Sequence, residues 1–313
     1  MPFIYDFNRI EEKGTVVALG NFDGVHIGHL NVLYQTQALA DKLGVKPSAL
    51  IFKEHPHINK NDATKELLTL KQKDEAFSDA GIENIYLYNF EDVCNMTAEQ
   101  FVKEILKEKL NAKGVCCGFN YHFGKNASGD AQMLVELCKK YKIEANVCPE
   151  VKVENGTVSS SRIRKAIENG NLELANKMLG KVFCYDFVVV DGDKRGRLLG
   201  APTINQYFPE SFVVPKNGVY ASRCFVDGRY HAAVTNVGIR PSIEGTSKLR
   251  SETCIMDFSG DLYGQNIEVG LLQYLRPEKK FESLEKLSEQ ISIDAKNAKK
   301  IFADFEVKHN EEN

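Results

Sequence analysis

Hydrophobic and polar positions follow two different rhythms along this chain. Up to Gly180, short apolar runs alternate with helical patterns. Residues 16–19, 47–52 (PSALIF), 84–90 (NIYLYNF) and 114–119 (GVCCGF) read as strands, each bounded by turn residues. After the first run, Leu30, Leu33, Tyr34, Gln37, Ala38 and Leu43 recur at helical spacing, and Gly44 stops the pattern. A further helical stretch is expected around 65–80. Thr97 with Gln100 forms a capping-box pattern ahead of an apolar face of Phe101, Ile105 and Leu106. Strands alternating with helices predict a parallel α/β sheet covered on both faces. Ligands of such sheets bind outside the carboxyl ends of the strands.

Beyond Gly180 the rhythm shortens. FCYDFVVVD, VYASRCFV, YHAAVTNV, ETCIMDF and NIEVGLLQYL read as successive strands, with Asp227-Gly228 as a hairpin turn between two of them. This spacing predicts a small antiparallel β-barrel. A closing helix is expected over about 283–304, with Leu284, Leu287, Ile291, Ala295, Ala298 and Phe302 on one side. The expected fold class is therefore α/β plus β. The change near Lys181–Phe183 gives domains 1–181 and 182–313, with no Pro/Gly/Ser-rich linker between them.

Composition narrows the partners. The chain has 313 residues, 43% of them hydrophobic and 27% charged, an ordinary globular balance with room for two domains. A net charge of −3 offers no basic patch for nucleic acid, so phosphorylated ligands need local groups. No apolar run approaches the roughly 20 residues of a membrane span. The first residues, MPFIYDFNRIEEKG, lack a signal-peptide layout. Neither nucleic acid nor membrane is expected as a partner, and the expected location is cytoplasmic. The eight cysteines show no CxxC spacing, which argues against zinc and for reduced core thiols. Oligomeric state is not readable.

Candidate chemistry starts at TVVALGNFDGVHIGH, residues 15–29. Gly20 to Gly24 turns sharply after the buried strand, with Asp23-Gly24 as the turn dipeptide. The helix that follows presents free backbone N–H groups that favour an anion. His26 and His29 lie three apart and share a face if that turn is helical. A lone histidine is more often a surface or satisfied core residue. A pair set between glycines after a buried strand points instead to phosphate oxygens, since glycine lets backbone approach a ligand. No G-x-G-x-x-G follows the strand and no Walker motif is present.

Three later segments add to this. GFNYHFGKNASGD (118–130) is a polar, aromatic loop from which Ser128 and Asp130 open another helix. In VSSSRIRKAIENGNLELANKMLG (158–180), three serines precede two arginines and a helix. Serines at a helix start cap it or offer hydroxyls to phosphate, and arginines add permanent charge. In GDKRGRLLGAPTINQ (192–206), Gly192, Gly196 and Gly200 make a basic loop suited to phosphates. Thr203 and Asn205 face the same way on an extended strand, and two such hard oxygens suit Mg2+. An ordinary glycine-rich loop before a strand is the alternative.

The string GNFDGVHIGH resembles the HxGH nucleotidylyltransferase superfamily, in the version carried by bacterial bifunctional riboflavin kinase/FMN adenylyltransferases. FKEHPH resembles that family's Phe-x-x-His-Pro element, which would bring His55 near the site. Residues 118–124 resemble its Gly-x-(Asp/Asn)-Phe-x-Phe-Gly element with Tyr121 for Phe. Residues 158–164 resemble ISSTxxR with Val158 for Ile and Ser161 for Thr. Residues 200–205 resemble Gly-(Phe/Tyr)-Pro-Thr-Ala-Asn, with Ala201 and Ile204 as departures. AVTNVGIRPS, ETCIMDFSGDLYG and LRPEKKF resemble further kinase segments, with Ser242 for Thr in the first.

The resemblance implies a Rossmann-like nucleotidylyltransferase domain followed by a small riboflavin kinase barrel. It implies that His26 and His29, with Gly20, Asn21, Asp23 and Gly28 around them, handle the nucleotide. Asn120 would hold a nucleotide or flavin phosphate. Ser160 and Arg164 would grip the ATP β/γ-phosphates. Thr203 and Asn205 would hold Mg·ATP, and Glu252 would deprotonate the riboflavin ribityl hydroxyl. Substrates and products would be ATP, riboflavin, FMN and FAD. FMN's phosphate is already largely dianionic near neutral pH and needs no strong base, whereas a neutral alcohol does. The Ala201 departure keeps open a single-activity adenylyltransferase with a degraded kinase module. A flavin-binding regulator without catalysis is a further alternative, discriminated by flavin binding without turnover.

Overall fold

The computed structural model describes residues 2–6, 13–53, 64–192, 203–241 and 247–311. The chain forms two compact units, Met1–Ser160 and Ser161–Asn313.

The first unit is built on six strands: β1 (Phe3–Asp6), β2 (Thr15–Leu19), β3 (Lys46–Phe52), β4 (Asn84–Tyr88), β5 (Ala112–Gly118) and β6 (Glu144–Cys148). All are parallel, in the order β1-β4-β3-β2-β5-β6. The chain winds outward from β2 through β3 and β4, then crosses to β5 on the other side of β2. The winding reverses between β2 and β5, the place where such sheets leave a crevice at their carboxyl ends. β2 is buried at every position because its alternate residues enter two cores. Val17 and Leu19 pack with Phe101, Val102 and Leu106. Val16 and Ala18 pack with Leu33, Ala40 and Phe77 on the opposite face.

Helix α1 (Ile27–Leu43) ends as expected at Gly44, whose φ of 65° is the left-handed cap. Helix α2 (Leu70–Asp79) is shorter than the expected stretch. Thr69 and Gln72 form a capping box that fixes its start, and Leu67 and Leu68 are buried in the approach. The strand expected to reach Phe90 ends at Tyr88, where Asn89 starts the short helix α3 (Phe90–Val93). Thr97 and Gln100 make the expected capping box of α4 (Ala98–Gln100), which continues as a π-helix over Phe101–Lys109. Helix α5 (Ala131–Lys140) is capped by Asp130, whose Oδ1 accepts the Met133 N–H at 2.8 Å. A two-stranded ladder, β7 (Lys152–Val153) and β8 (Gly156–Thr157), follows β6. The stretch 158–180 forms two helices that open the second unit, α6 (Ser160–Glu168) and α7 (Leu172–Leu179), broken at Gly170, which has a φ of 79°.

The second unit carries β9 (Phe183–Tyr185), β10 (Thr203–Tyr207), β11 (Gly218–Val226), β12 (Arg229–Pro241), β13 (Ser247–Ile255) and β14 (Glu268–Arg276). They form one antiparallel sheet, β10-β13-β12-β11-β14-β9. The sheet curls: beyond β9, Val188 bridges Asn266 and Val190 bridges Asn205 on the far edge strand. Asp227 and Gly228 join β11 to β12 with φ of 51° and 78°, the positive pair a two-residue type I′ hairpin requires. The closing helix α8 (Leu284–Glu311) buries Ala298 against Ala221 and Met256. Arg276 holds it through paired hydrogen bonds to the buried Asp294, at 2.7 to 3.2 Å.

Candidate active sites

In the first unit the site grows out of the β2–α1 connection. Phe22, Gly24 and Val25 have φ of 50°, 81° and 37°, a left-handed path that is costly for the two non-glycine residues. The surroundings hold it there. Phe22 is fully buried and packs edge-on to His29 and Phe77, with ring centroids 5.3 and 5.4 Å away. The Leu67 N–H donates to Asp23 Oδ1 at 3.4 Å, and Ser160 Oγ donates to the Asp23 carbonyl at 2.7 Å. Lys73 Nζ donates to the Asn21 carbonyl at 3.2 Å. A Cβ at Gly24 would stand 2.7 Å from Leu67 Cδ1, so glycine is needed for space as well as for its φ.

His26 is the N-cap of α1, and its Nδ1 accepts the backbone N–H of His29 at 3.2 Å. Nδ1 is therefore unprotonated and the ring proton sits on Nε2. The two imidazoles stack, with centroids 3.6 Å apart and planes 16° apart. Gly28 permits this, since a Cβ there would lie 3.2 Å from His26 Cε1. His26 is only 6% exposed. Burial pushes its pKa down to about 4. Burial, then the charges of His26 and Lys73, hold His29 well below the usual imidazole range. Both rings are neutral near pH 7. His29 Nδ1 has no hydrogen-bond partner among the described residues.

The structure thus brings together Gly20, Asn21, Asp23, His26, Gly28, His29 and Ser160. Ser160 sends its hydroxyl to the Asp23 carbonyl rather than to its own helix. Asn120 lies two residues past β5. That strand is in register with β2 at Leu19 and Cys117, so the two loops leave adjacent strand ends. The Asn120 side chain is exposed, and its carbonyl lies 3.0 Å from His122 Nδ1. Arg164 stands on α6, in the second unit, and is 9% exposed. Burial lowers its guanidinium pKa and the Glu168 charge opposes that. His55 lies outside the described residues.

In the second unit, pairing across three strands assembles the site. Asn205 on β10 and Asn236 on β12 both stand opposite Glu252 on the intervening β13. Arg250, two residues away on the same face, is buried and ion-paired with Glu252. These strands form one wall of a cavity of about 1110 Å³ to which Thr203, Asn236, Arg250 and Glu252 contribute. Phe281 and Ile291 also line it, the latter from α8. A smaller pocket of about 80 Å³ is lined by Gly192, Thr203, Asn205 and Phe258. Thr203 and Asn205 thus face one pocket, as their two-residue spacing requires. A Cβ at Gly192 would overlap Asn205 Nδ2, so glycine lets this backbone press against the asparagine. Gly196, Gly200 and Ala201 lie outside the described residues.

The sequence reading missed Lys73 and Asn236. Lys73 sits in the buried stripe of α2, in step with Ala76, Phe77 and Ala80, and a lysine in an apolar stripe was the available signal. Asn236 has no such signal, because its place beside Glu252 depends on strand register. Its Nδ2 donates to Glu278 Oε1 at 2.8 Å, which uses the glutamate of the LRPEKKF segment.

Comparisons with known proteins follow the same division. The FAD synthetase family model matches residues 8–162 and the riboflavin kinase family model matches residues 179–302. The bifunctional riboflavin kinase/FMN adenylyltransferase of Listeria monocytogenes is 33% identical over 93% of both chains. Its Bacillus subtilis counterpart is 31% identical over 94% of this chain and 95% of its own. The Escherichia coli protein of the same name is 30% identical over 96% of both. A crystal structure from Streptococcus pneumoniae, described as a macrolide-efflux protein, superposes with a TM-score of 0.86 at 30% identity. It covers 95% of this chain and 99% of its own. Among the described residues no helix is long and apolar enough to cross a membrane. On the two domain matches and these near full-length likenesses, the chain belongs to the family of bifunctional riboflavin kinase/FMN adenylyltransferases.

Proposed function

We propose that this chain carries out two consecutive reactions of flavin cofactor synthesis: ATP-dependent phosphorylation of riboflavin to FMN, then adenylation of FMN to FAD with release of pyrophosphate. The observation that carries this is the presence of two chemically different sites, one at the carboxyl edge of the parallel sheet and one on the antiparallel sheet. One is a pair of neutral imidazoles at a helix start. The other is a carboxylate flanked by asparagines beside a large cavity.

The functional modules are residues 1–181, a Rossmann-like HxGH nucleotidylyltransferase, and 182–313, a small riboflavin kinase barrel. In the first, the FMN phosphate attacks the α-phosphorus of ATP. The new P–O bond forms as the α–β bridge breaks, and pyrophosphate leaves with the electron pair. The dianionic phosphate needs positioning and charge stabilisation more than a base. His26 offers Nε2–H, because its Nδ1 is occupied by the His29 N–H. Gly20, Asn21, Asp23 and Gly28 shape the loop around the phosphates. Asn120 approaches from the neighbouring strand end, and Ser160 and Arg164 take the β/γ-phosphates.

In the second module, Glu252 takes the ribityl hydroxyl proton and Arg250 holds its carboxylate in place. Thr203 and Asn205, with the loop of Gly192, Gly196 and Gly200, hold Mg·ATP. Their two neutral oxygens fit an ion whose remaining ligands are substrate phosphates and water. When bound, Mg2+ neutralises phosphate charge. All eight cysteines are thiols and five are buried, which suits a reducing, cytoplasmic location. The partners are small molecules, with neither nucleic acid nor membrane required.

Chromatography of products tests the reading. Riboflavin with ATP and Mg2+ should yield FMN and then FAD, and FMN should yield FAD. His29→Ala should abolish FAD and spare FMN, whereas Glu252→Gln should stop FMN formation and leave added FMN adenylated. Equal loss of both activities in either variant would reject separate sites. Binding of flavin without any product would favour a regulator.

A further inference from the structure

The loop and ring pair after β2 hold no full positive charge of their own, and Arg164 is assigned to the β/γ-phosphates. Both imidazoles are neutral near pH 7, and a helix N-terminus supplies only about half an elementary charge. The transferred phosphate and the departing pyrophosphate carry several negative charges. One cation is already built against the loop. Lys73 extends from α2 to the Asn21 carbonyl at 3.2 Å, and its charge is felt by His29.

The partners of that ammonium are incomplete. It has three donors, and one goes to Asn21. Among the described residues, no hydrogen bond or ion pair takes the other two. The Glu66 charge favours the protonated amine. A desolvated, unpaired ammonium is unfavourable and is normally matched by a carboxylate or a ligand anion. The surroundings are rigid: one helical turn beyond Lys73, Phe77 packs on Phe22, which packs on His29. Helix α2 therefore fixes the loop, the ring pair and the amine as one body. Burial holds the amine down to about 8, so it is still mostly charged at neutral pH.

We infer that Lys73 is a phosphate-binding residue of the adenylyl-transfer site, anchoring the Asn21 turn with one N–H and offering the other two to a phosphate oxygen of the reactants. This rests on the adenylation reading above. The oxygen belongs either to the ATP-derived phosphates or to the FMN phosphate, and kinetics separate the two.

The test compares Lys73→Met, Lys73→Gln and Lys73→Arg in the full chain. FMN-dependent FAD formation is measured forward. The reverse reaction uses FAD and inorganic pyrophosphate with Mg2+. Glutamine retains a donor for Asn21 without the charge, and arginine restores the charge. The Met and Gln variants should raise a KM at least tenfold and arginine should recover part of it. A shift in the pyrophosphate KM assigns the ATP-derived phosphates, and a shift in the FMN KM assigns the FMN phosphate. Riboflavin phosphorylation by the same preparations should be unchanged. Unchanged KM values for both, wild-type behaviour of Lys73→Gln, or absence of rescue by arginine would overturn the assignment. If the wild-type chain forms no FAD from FMN, the adenylation reading itself fails.

Discussion

His26 and Lys73 carry the same consequence of burial in two different pH ranges. His26 titrates near 4 in the folded chain against 6.5 when unfolded. Between those values the unfolded chain binds the extra proton. Stability is thus complete above pH 6.5 and is lost as pH falls toward 4, by about 3 kcal/mol at the limit. Urea unfolding of the first unit at a series of pH values should show this slope, and His26→Gln should flatten it. Lys73 titrates near 8 folded against 10.5 unfolded. The unfolded chain again binds more protons across that interval, so the charged amine costs stability below it. Lys73→Met should therefore stabilise the unit near neutral pH by about 1–3 kcal/mol, discounted for partial exposure, while adenylation falls. Destabilisation on both counts would mark the lysine as a structural residue only.

At the scale of elements, the second unit depends on close approaches. Gly192→Ala should displace Asn205, because a Cβ there would overlap its side-chain amide. Riboflavin phosphorylation should fall at least tenfold with FMN adenylation retained. Asp294→Ala would leave Arg276 without its carboxylate partner and free one wall of the cavity. Loss of one member of a buried pair typically costs about 3–5 kcal/mol, which a lowered melting temperature should report. The strands were legible because β2 to β5 are apolar runs bounded by turns, and α1, α4 and α5 because their caps are local chemistry. The start of α2 was also written locally, in Thr69 and Gln72, but the leucines before it share the helical spacing. The His26–His29 pair could be placed on one face, yet the ring stacking and the Nδ1 bond that fix its proton needed coordinates. The row Asn205, Glu252, Asn236 was half hidden. Thr203 and Asn205 share a face by alternation, but which residue stands opposite Glu252 is a matter of register between distant segments.

Across the whole molecule, the His26–His29 pair and Glu252 lie in different units, which predicts that neither reaction needs the other's pivotal side chain. A mixture of the His29→Ala and Glu252→Gln chains should form FAD from riboflavin, with FMN made by one and adenylated by the other. Failure to complement, with each variant retaining its single activity, would mean that FMN does not pass through solution.

The left-handed loop after β2 has a consequence for how the protein is made. The groups that tether it come from far along the chain: Leu67, Lys73 and Ser160 lie 44, 52 and 137 residues beyond Asp23, Asn21 and Asp23. A ribosome that has delivered only β2 and α1 has delivered the loop's residues without these tethers. The last of them arrives with Ser160, the final residue of the first unit. Of these segments, the loop leaves the exit tunnel before its tethers do, so its strained path is among the last parts of the first unit to be fixed during synthesis.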